Sequence, residues 1–393
     1  MMSEPALPAW AREDAFSVKP EEGDFGAADG KGGIQSFGSL EELKAFLDTG
    51  KGRLAWVWTP SHLRLISPEE VPELADSLKK RRLIFADEDE GAAKRSLPFT
   101  GMAVLYGAYA FLKNGQAFGF SRVEFLVFAV FAFLYFTARP WWESYKGRKT
   151  AKKITEKYLA EEIPEARFDL WMESQKTPLT IVLLAIVGLV GVVQVLTPDR
   201  GILEAGLDKV KYARGETWRM FTAAFMHGNV IHFALNASAF WYLGRRVEIL
   251  AKWPHLVGVF FLSILGAGWA TVSWIPLGIT VGVSGVVCGL LGFLLVFETL
   301  HLVLVPRPAR RRLAGILVSL VVIGALGFKF VDNAAHFGGL ATGAVYAFVI
   351  FPKSSSPQRP MILKRDYVLG GVSLLLIAVS ALGAMIAMLM RAQ

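Results

Sequence analysis

Between Pro178 and Met390 the sequence alternates long apolar blocks with short connections, and this alternation constrains the fold more than any other feature. The blocks are Pro178 to Leu196, Met220 to Tyr242, His255 to Ile275, Ser284 to Val305, Leu313 to Gly327, Ala334 to Phe351 and Tyr367 to Met390. Hydrocarbon offers no partner to a free amide or carbonyl, so segments of this length and polarity are stable in a bilayer only as helices. The pattern predicts an all-α polytopic membrane protein with a set of six helices and one further carboxy-terminal span. At 53% hydrophobic residues the chain of 393 carries far more apolar sequence than one soluble core requires.

The formal net charge of +8 invites a nucleic-acid reading. The Lys and Arg residues instead sit in connections: Arg245, Arg246 and Lys252, then Arg307 and Arg310 to Arg312, then Lys353, Arg359, Lys364 and Arg365. These are alternate turns, which the positive-inside rule assigns to the cytoplasm, so the basicity sets orientation and no nucleic-acid partner is implied. The connection Pro276 to Val283 has no charge, which places the start of the Ser284 block near the outer surface. The connection from Thr197 to Arg219 carries five basic and four acidic residues and is long enough to hold structure of its own as an outer, partly membrane-associated loop. Met1 to Gly33 is polar and Gly-rich and does not read as a signal peptide, which predicts a cytoplasmic amino terminus. The one cysteine, Cys288, allows no intramolecular disulfide.

Ahead of the core the expected divisions are a disordered tail over 1–35, a small soluble α+β unit over 36–97, a membrane hairpin over 98–138 and a basic cytoplasmic linker over 139–176. In the soluble unit Ser39-Leu40-Glu41-Glu42 has capping-box spacing, Leu54 to Trp58 and Leu63 to Ile66 read as short strands, Pro68 opens a helix, and Leu83-Ile84-Phe85 reads as a third strand. The hairpin would join Phe99 to Leu112 and Phe125 to Thr137 through a turn over Lys113 to Glu124, with a re-entrant pair as the alternative because both blocks are short. Arg139 to Lys157 then holds seven basic residues beside Trp141 and Trp142. The six-helix core spans 177–352, and 353–393 supplies a linker and the last span.

One hydroxyl stands out at the mouth of a block: Ser284, in Gly282-Val283-Ser284-Gly285-Val286-Val287-Cys288-Gly289. Serine needs a base to become nucleophilic. Of six histidines, His62, His255 and His301 fall on the cytoplasmic side, which leaves His227, His232 and His336. Gly339 and Gly343 lie on the helical face of His336, and Gly285 and Gly289 follow Ser284 four residues apart. Paired small residues at that spacing let two membrane helices meet closely, so the Ser284 and Ala334 blocks are expected to pack together and bring Ser284 to His336. Packing alone would explain the glycines, but an ionisable histidine inside a bilayer is expensive and points to chemistry. His232 and Asn236, four apart, offer two donors on one helix face, the kind of group that stabilises a developing oxyanion. His227 reads as a packed core histidine, and a metal site is disfavoured because His227 and His232 are about 140° apart on a helix with no carboxylate to complete a shell. Glu298 is the one charge well inside a block, near its cytoplasmic end, which gives an ion path little support.

Taken together, Trp218-Arg219, the H-x4-H-x3-N run from His227 to Asn236, Leu243-Gly244 followed by Glu248, the G-x-S-G of Gly282 to Gly285 and the A-H-x-G-G-x3-G of Ala335 to Gly343 resemble the ordered motifs of the rhomboid intramembrane serine proteases. The resemblance covers roughly Pro178 to Phe351. It implies a Ser284 and His336 dyad without an acidic third member, an oxyanion site from the Ser284 amide with His232 and Asn236, structural roles for Arg219 and Glu248, no cofactor, and transmembrane proteins as substrates. It also implies a multi-pass protein of a bacterial inner membrane with its site opening to the outer side. The alternative is a proteolytically silent relative that binds and escorts membrane clients. The sequence departs from the family at Cys288, where many members have a tyrosine packed on the catalytic histidine. A thiol there is expected either to slow the enzyme or to require a different aromatic, such as Phe337 or Phe233, in place of that ring.

Overall fold

The computed structural model describes residues 7–21, 23–29, 33–50, 56–113, 122–197, 201–328 and 331–390, and the chain divides into two compact units, one of them Ala9–Ser174 and the other running from Gln175 onward.

In the first unit, β1 (Phe25–Ala28) is the centre of a three-stranded antiparallel sheet, between β2 (Ile34–Phe37) and β3 (Trp56–Trp58). Helix α1 (Leu40–Asp48) packs beside it, with Leu43 and Leu47 meeting Val57, Ile66 and Leu74 in a small core. For the described residues among 1–35 this corrects the expectation of a disordered tail. Phe25-Gly-Ala-Ala is too weak in strand propensity to stand out, and it is held by ladders on both sides, with the Trp58 ring lying where a Gly26 Cβ would be. Ser39 does cap α1, accepting from the Glu42 amide at 3.2 Å, while the Glu42 carboxylate reaches back to the Gly38 amide instead of that of Ser39.

Leu83-Ile84-Phe85 is helical, inside α2 (Ala75–Leu112), so the expected third strand is not there. A short apolar run flanked by Lys, Arg, Asp and Glu has no turn signal to bound a strand. Pro68 opens two successive 3₁₀ turns before α2, and Leu63 to Ile66 supplies only isolated bridges. Leu54 and Ala55 of the expected strand, and residues 114–121 of the expected hairpin turn, lie outside the described residues.

The end of α2 packs on α3 (Arg122–Phe133), close enough that a Cβ on Gly107 would lie 3.1 Å from Leu126 Cα. A π-helical turn, Leu134–Ala138, leads directly into α4 (Arg139–Ala151), followed by α5 (Glu156–Ser174). The stretch read as a basic linker is therefore helical. Ion pairs tie it to α2 in both directions: Arg148 of α4 bonds Asp87 of α2 at 2.8 Å and also Glu90, and Arg82 of α2 forks onto Glu162 of α5.

The second unit is built on α6 (Pro178–Leu196), the short α7 (Gly201–Ala205), β4 (Leu207–Asp208), α8 (Lys209–Ala213) and α9 (Arg219–Thr222), then α10 (Val230–Ala251), α11 (Trp253–Trp274), β5 (Ile279–Thr280), α12 (Ser284–Leu300), α13 (Arg307–Leu326), α14 (Asn333–Ile350) and α15 (Lys364–Met390). Phe125–Ala151, Pro178–Leu196, Trp253–Trp274 and Lys364–Met390 are long and apolar enough to cross a bilayer, in keeping with a multi-pass integral membrane protein. α12 and α14 form the central pair, with α11 packed on both. α15 packs on α11, α6 and α9, so the last span belongs to the bundle; buried His255 bonds the Tyr346 hydroxyl at 3.0 Å and lies 3.9 Å from Asp366 at the start of α15.

The expected block Met220 to Tyr242 is displaced. The chain breaks after the 3₁₀ turn Ala223–Phe225, and α10 starts at Val230 because the Asn229 side chain caps it, accepting from the His232 amide at 2.8 Å. α10 then runs on through Arg245 and Arg246, which were expected in a cytoplasmic turn. Buried Arg246 is accommodated because Glu298 of α12 takes its Nε at 2.5 Å and Nη2 at 3.0 Å, and the Ala309 carbonyl takes Nη2 as well. Removing one partner of such a pair strands the other charge. Glu298→Ala is expected to lower stability by about 3–5 kcal/mol, whereas the double change Arg246→Met with Glu298→Met costs much less. Unfolding in detergent for both variants checks this.

Candidate active site

Ser284 is the first residue of α12, and its predecessors fix how it is presented. Gly282 has φ +120°, a left-handed conformation that favours glycine, and its amide donates to the Ala223 carbonyl at 3.0 Å. An added Cβ there would sit 2.8 Å from Cε1 of His232 and 3.7 Å from Nδ2 of Asn236. The two α10 side chains therefore lie directly against the turn that delivers the serine. A helix that begins at Ser284 leaves its first amides without intrahelical acceptors, pointing out of the helix end.

α14 brings the base. A Cβ on Gly285 would be 3.4 Å from the Ala335 carbonyl, and on Gly289 it would be 3.2 Å from the Gly339 carbonyl, while Gly339 and Gly343 leave room for the Gly285 and Gly289 carbonyls. In this register Ser284 and His336 stand at the same level of two touching helices. Among the described residues they make no direct hydrogen bond, and the Nδ1 of His336 has no partner. Catalytic hydrogen bonds often tighten only when substrate is held. The ionisable groups near enough to act on the His336 ring are Asp332 and His232. Asn236 is buried, and its Nδ2 is likewise without a partner. A buried amide left unpaired beside a serine is a donor waiting for an acceptor.

The remaining sequence candidates brace this arrangement. His227 is buried, edge-on to His232 at 5.3 Å and to Phe233 at 5.2 Å. Its backbone is pinned by Gln194, whose side chain accepts from the His227 amide at 2.9 Å and donates to its carbonyl at 2.5 Å. Arg219 is fully buried and gathers the preceding loop, bonding the carbonyls of Leu203, Glu204 and Gly206 and the Glu216 carboxylate. Glu248 lies about 18 Å along α10 from Asn236 and caps α6 by accepting from the Leu179 and Thr180 amides at 3.1 and 2.8 Å.

The aromatic substitute expected for the missing tyrosine is not found. Phe337 packs on Trp274 at 5.4 Å and Phe233 on His227, so among the described residues no aromatic ring stacks on His336. Cys288 is buried. Sequence reasoning also missed Gln194 and Asn229. Gln194 is a lone amide at the end of an apolar block, and Asn229 is a good N-cap residue following a glycine inside one, which are the signals that could have marked them.

Comparison with known proteins identifies one domain of the chain. The rhomboid domain family matches residues 214–353. This chain carries a rhomboid domain. Relatives of that domain include RHOMBOID-like protein 4 of Arabidopsis thaliana, 30% identical over 146 residues that make up 37% of each chain. Rhomboid protease GluP of Bacillus subtilis is 32% identical over 37% of this chain and 28% of its own. Inactive rhomboid protein 2 of Homo sapiens is 30% identical over 41% of this chain and 19% of its own. In each case the chain spans well under half the relative's length, and the rhomboid relatives include both proteases and an inactive member.

Proposed function

We propose that this protein is an intramembrane serine endopeptidase that cleaves transmembrane segments of other proteins. The observation that supports the reading is the close approach of α12 to α14 at Gly285 and Gly339, beside Ser284 and near His336, with His232 and the unpaired Asn236 amide against Gly282. A transmembrane helix hides its carbonyls in internal hydrogen bonds, so the substrate must unwind locally before it can react. The Ser284 hydroxyl then attacks a carbonyl carbon while the His336 imidazole accepts its proton. Negative charge on the former carbonyl oxygen is met by the Ser284 amide, His232 and Asn236. The tetrahedral species collapses to an acyl-enzyme as His336 returns the proton to the leaving amine, and a water molecule, deprotonated by His336, releases the second product and the serine. The charge pattern supports a site opening to the side opposite the basic connections, with the amino terminus in the cytoplasm.

His232→Ala and Asn236→Ala are each expected to lower kcat by about 10²- to 10³-fold, with smaller effects on KM, because their donors act on charge that exists only in the transition state. Steady-state cleavage of a transmembrane substrate in liposomes measures both parameters.

The second reading is a silent relative that binds and escorts membrane clients. It is favoured by the lack, among the described residues, of a ring against His336 and by similarity to a relative named inactive. A fluorophosphonate probe separates the two. Covalent labelling that disappears in Ser284→Ala supports the protease, and an unlabelled wild type supports the silent binder.

A further inference from the structure

Four residues before Ser284 and four before His336 stand Thr280 and Asp332, and these two are joined. Asp332 caps α14, its Oδ1 accepting from the Ala335 amide at 2.9 Å. Its Oδ2 accepts from the Thr280 hydroxyl at 2.5 Å and from the Thr271 hydroxyl of α11, and faces the Lys209 ammonium at 3.7 Å. Lys209 is itself buried, and its amide donates to the Gly278 carbonyl, so it secures the same ribbon of β4 and β5 that carries Thr280. One carboxylate thus gathers the segment leading to the nucleophile, the helix bearing the base and the wall behind both.

We propose that Asp332 is a positioning residue for the reaction, fixing the separation of Ser284 and His336 by clamping the Thr280 strand to the first turn of α14. The inference rests on the protease reading. The clamp answers a need particular to this chain. Among the described residues no aromatic ring stacks on His336 and no hydrogen bond ties it to Ser284, so its placement depends on the first turn of α14. That turn is held at Asp332. The carboxylate also lies one helical turn from His336 on the same face, within electrostatic reach of the ring.

The test is the rate of fluorophosphonate labelling per reactive site, with the labelling endpoint counting the folded, competent sites, alongside kcat and KM on a transmembrane substrate. Asp332→Asn keeps an acceptor for the Ala335 amide but removes the anion. It is expected to slow labelling and kcat together by about tenfold to a hundredfold, the penalty of a small misplacement, with KM within about twofold. Thr280→Val should slow both in the same sense, and Thr280→Ser, which keeps the hydroxyl, should restore most of the rate. A merely structural role lowers the endpoint and leaves the per-site rate alone, and that result overturns the proposal. So does a per-site rate within about twofold of wild type in both Asp332→Asn and Thr280→Val, or equal losses in Thr280→Val and Thr280→Ser. Labelling of wild type with unchanged variants sinks this inference alone, whereas an inert wild type sinks it together with the protease reading.

Discussion

Ser284→Ala and His336→Ala are each expected to abolish cleavage of a transmembrane substrate, a loss on the order of 10⁴-fold or more, and the double variant is expected to be no worse than either single one. Serine without its base is a poor nucleophile, and the base without serine has no acyl acceptor to activate, so the two act as a unit and their effects do not add. The oxyanion donors are different. They act on a charge that a weaker attack by water would also create, so their loss is smaller and should be nearly independent of which dyad member is present. Measuring all four variants and the double one in the same liposomes separates these cases. If Ser284→Ala retained wild-type cleavage the dyad would be excluded, and if the double variant lost far more than the singles the residues would be acting separately. Neither side chain carries a structural hydrogen bond to the other, so both variants should keep the fold.

The site was legible where residues obey helical periodicity. His232 and Asn236 at four-residue spacing, Gly285 with Gly289, and Gly339 with Gly343 each announce a face, and the structure brings those faces together around Gly282 and Ser284. What was illegible depends on partners distant in sequence. Nothing near Phe25 reveals that Trp58 will cover Gly26, and nothing near Arg246 reveals Glu298. Helix limits were misjudged for a related reason: hydropathy carries the eye from Met220 to Tyr242, but Asn229 decides where α10 starts. Asp332 escaped notice because an acid just before a helix reads as a cap, and its hydrogen bonds to α11 and the β5 strand exist only in three dimensions. The resemblance to rhomboids supplied roles for Arg219 and Glu248 that no local pattern contains, and the structure gives each a physical task, gathering loop carbonyls and capping α6.

Gly339→Ala and Gly343→Ala are each expected to damage this protein severely. A methyl group at either position would overlap a backbone carbonyl oxygen, that of Gly285 for Gly339 and that of Gly289 for Gly343. Backbone cannot rotate away as a side-chain end can, so α12 and α14 must separate by about 1 Å or more to restore contact distance. The cost of such overpacking is about 3 kcal/mol, offset only in part by the roughly 0.5–1 kcal/mol that alanine gains over glycine within a helix. Separation also moves Ser284 from His336, and a shift of about 1 Å can cost a hundredfold in rate. Gly339 is three residues from His336, so its variant should lose activity in the molecules that remain folded, whereas Gly343→Ala, one turn deeper, should lose mainly stability. Gly371 in α15 and Gly315 in α13 have nothing within 4 Å of an added Cβ and provide the contrast. Alanine at those two sites should leave thermal stability in detergent unchanged or slightly raised. Similar losses at all four glycines would show that helix propensity or bilayer contact, and not the approach of α12 to α14, governs their role.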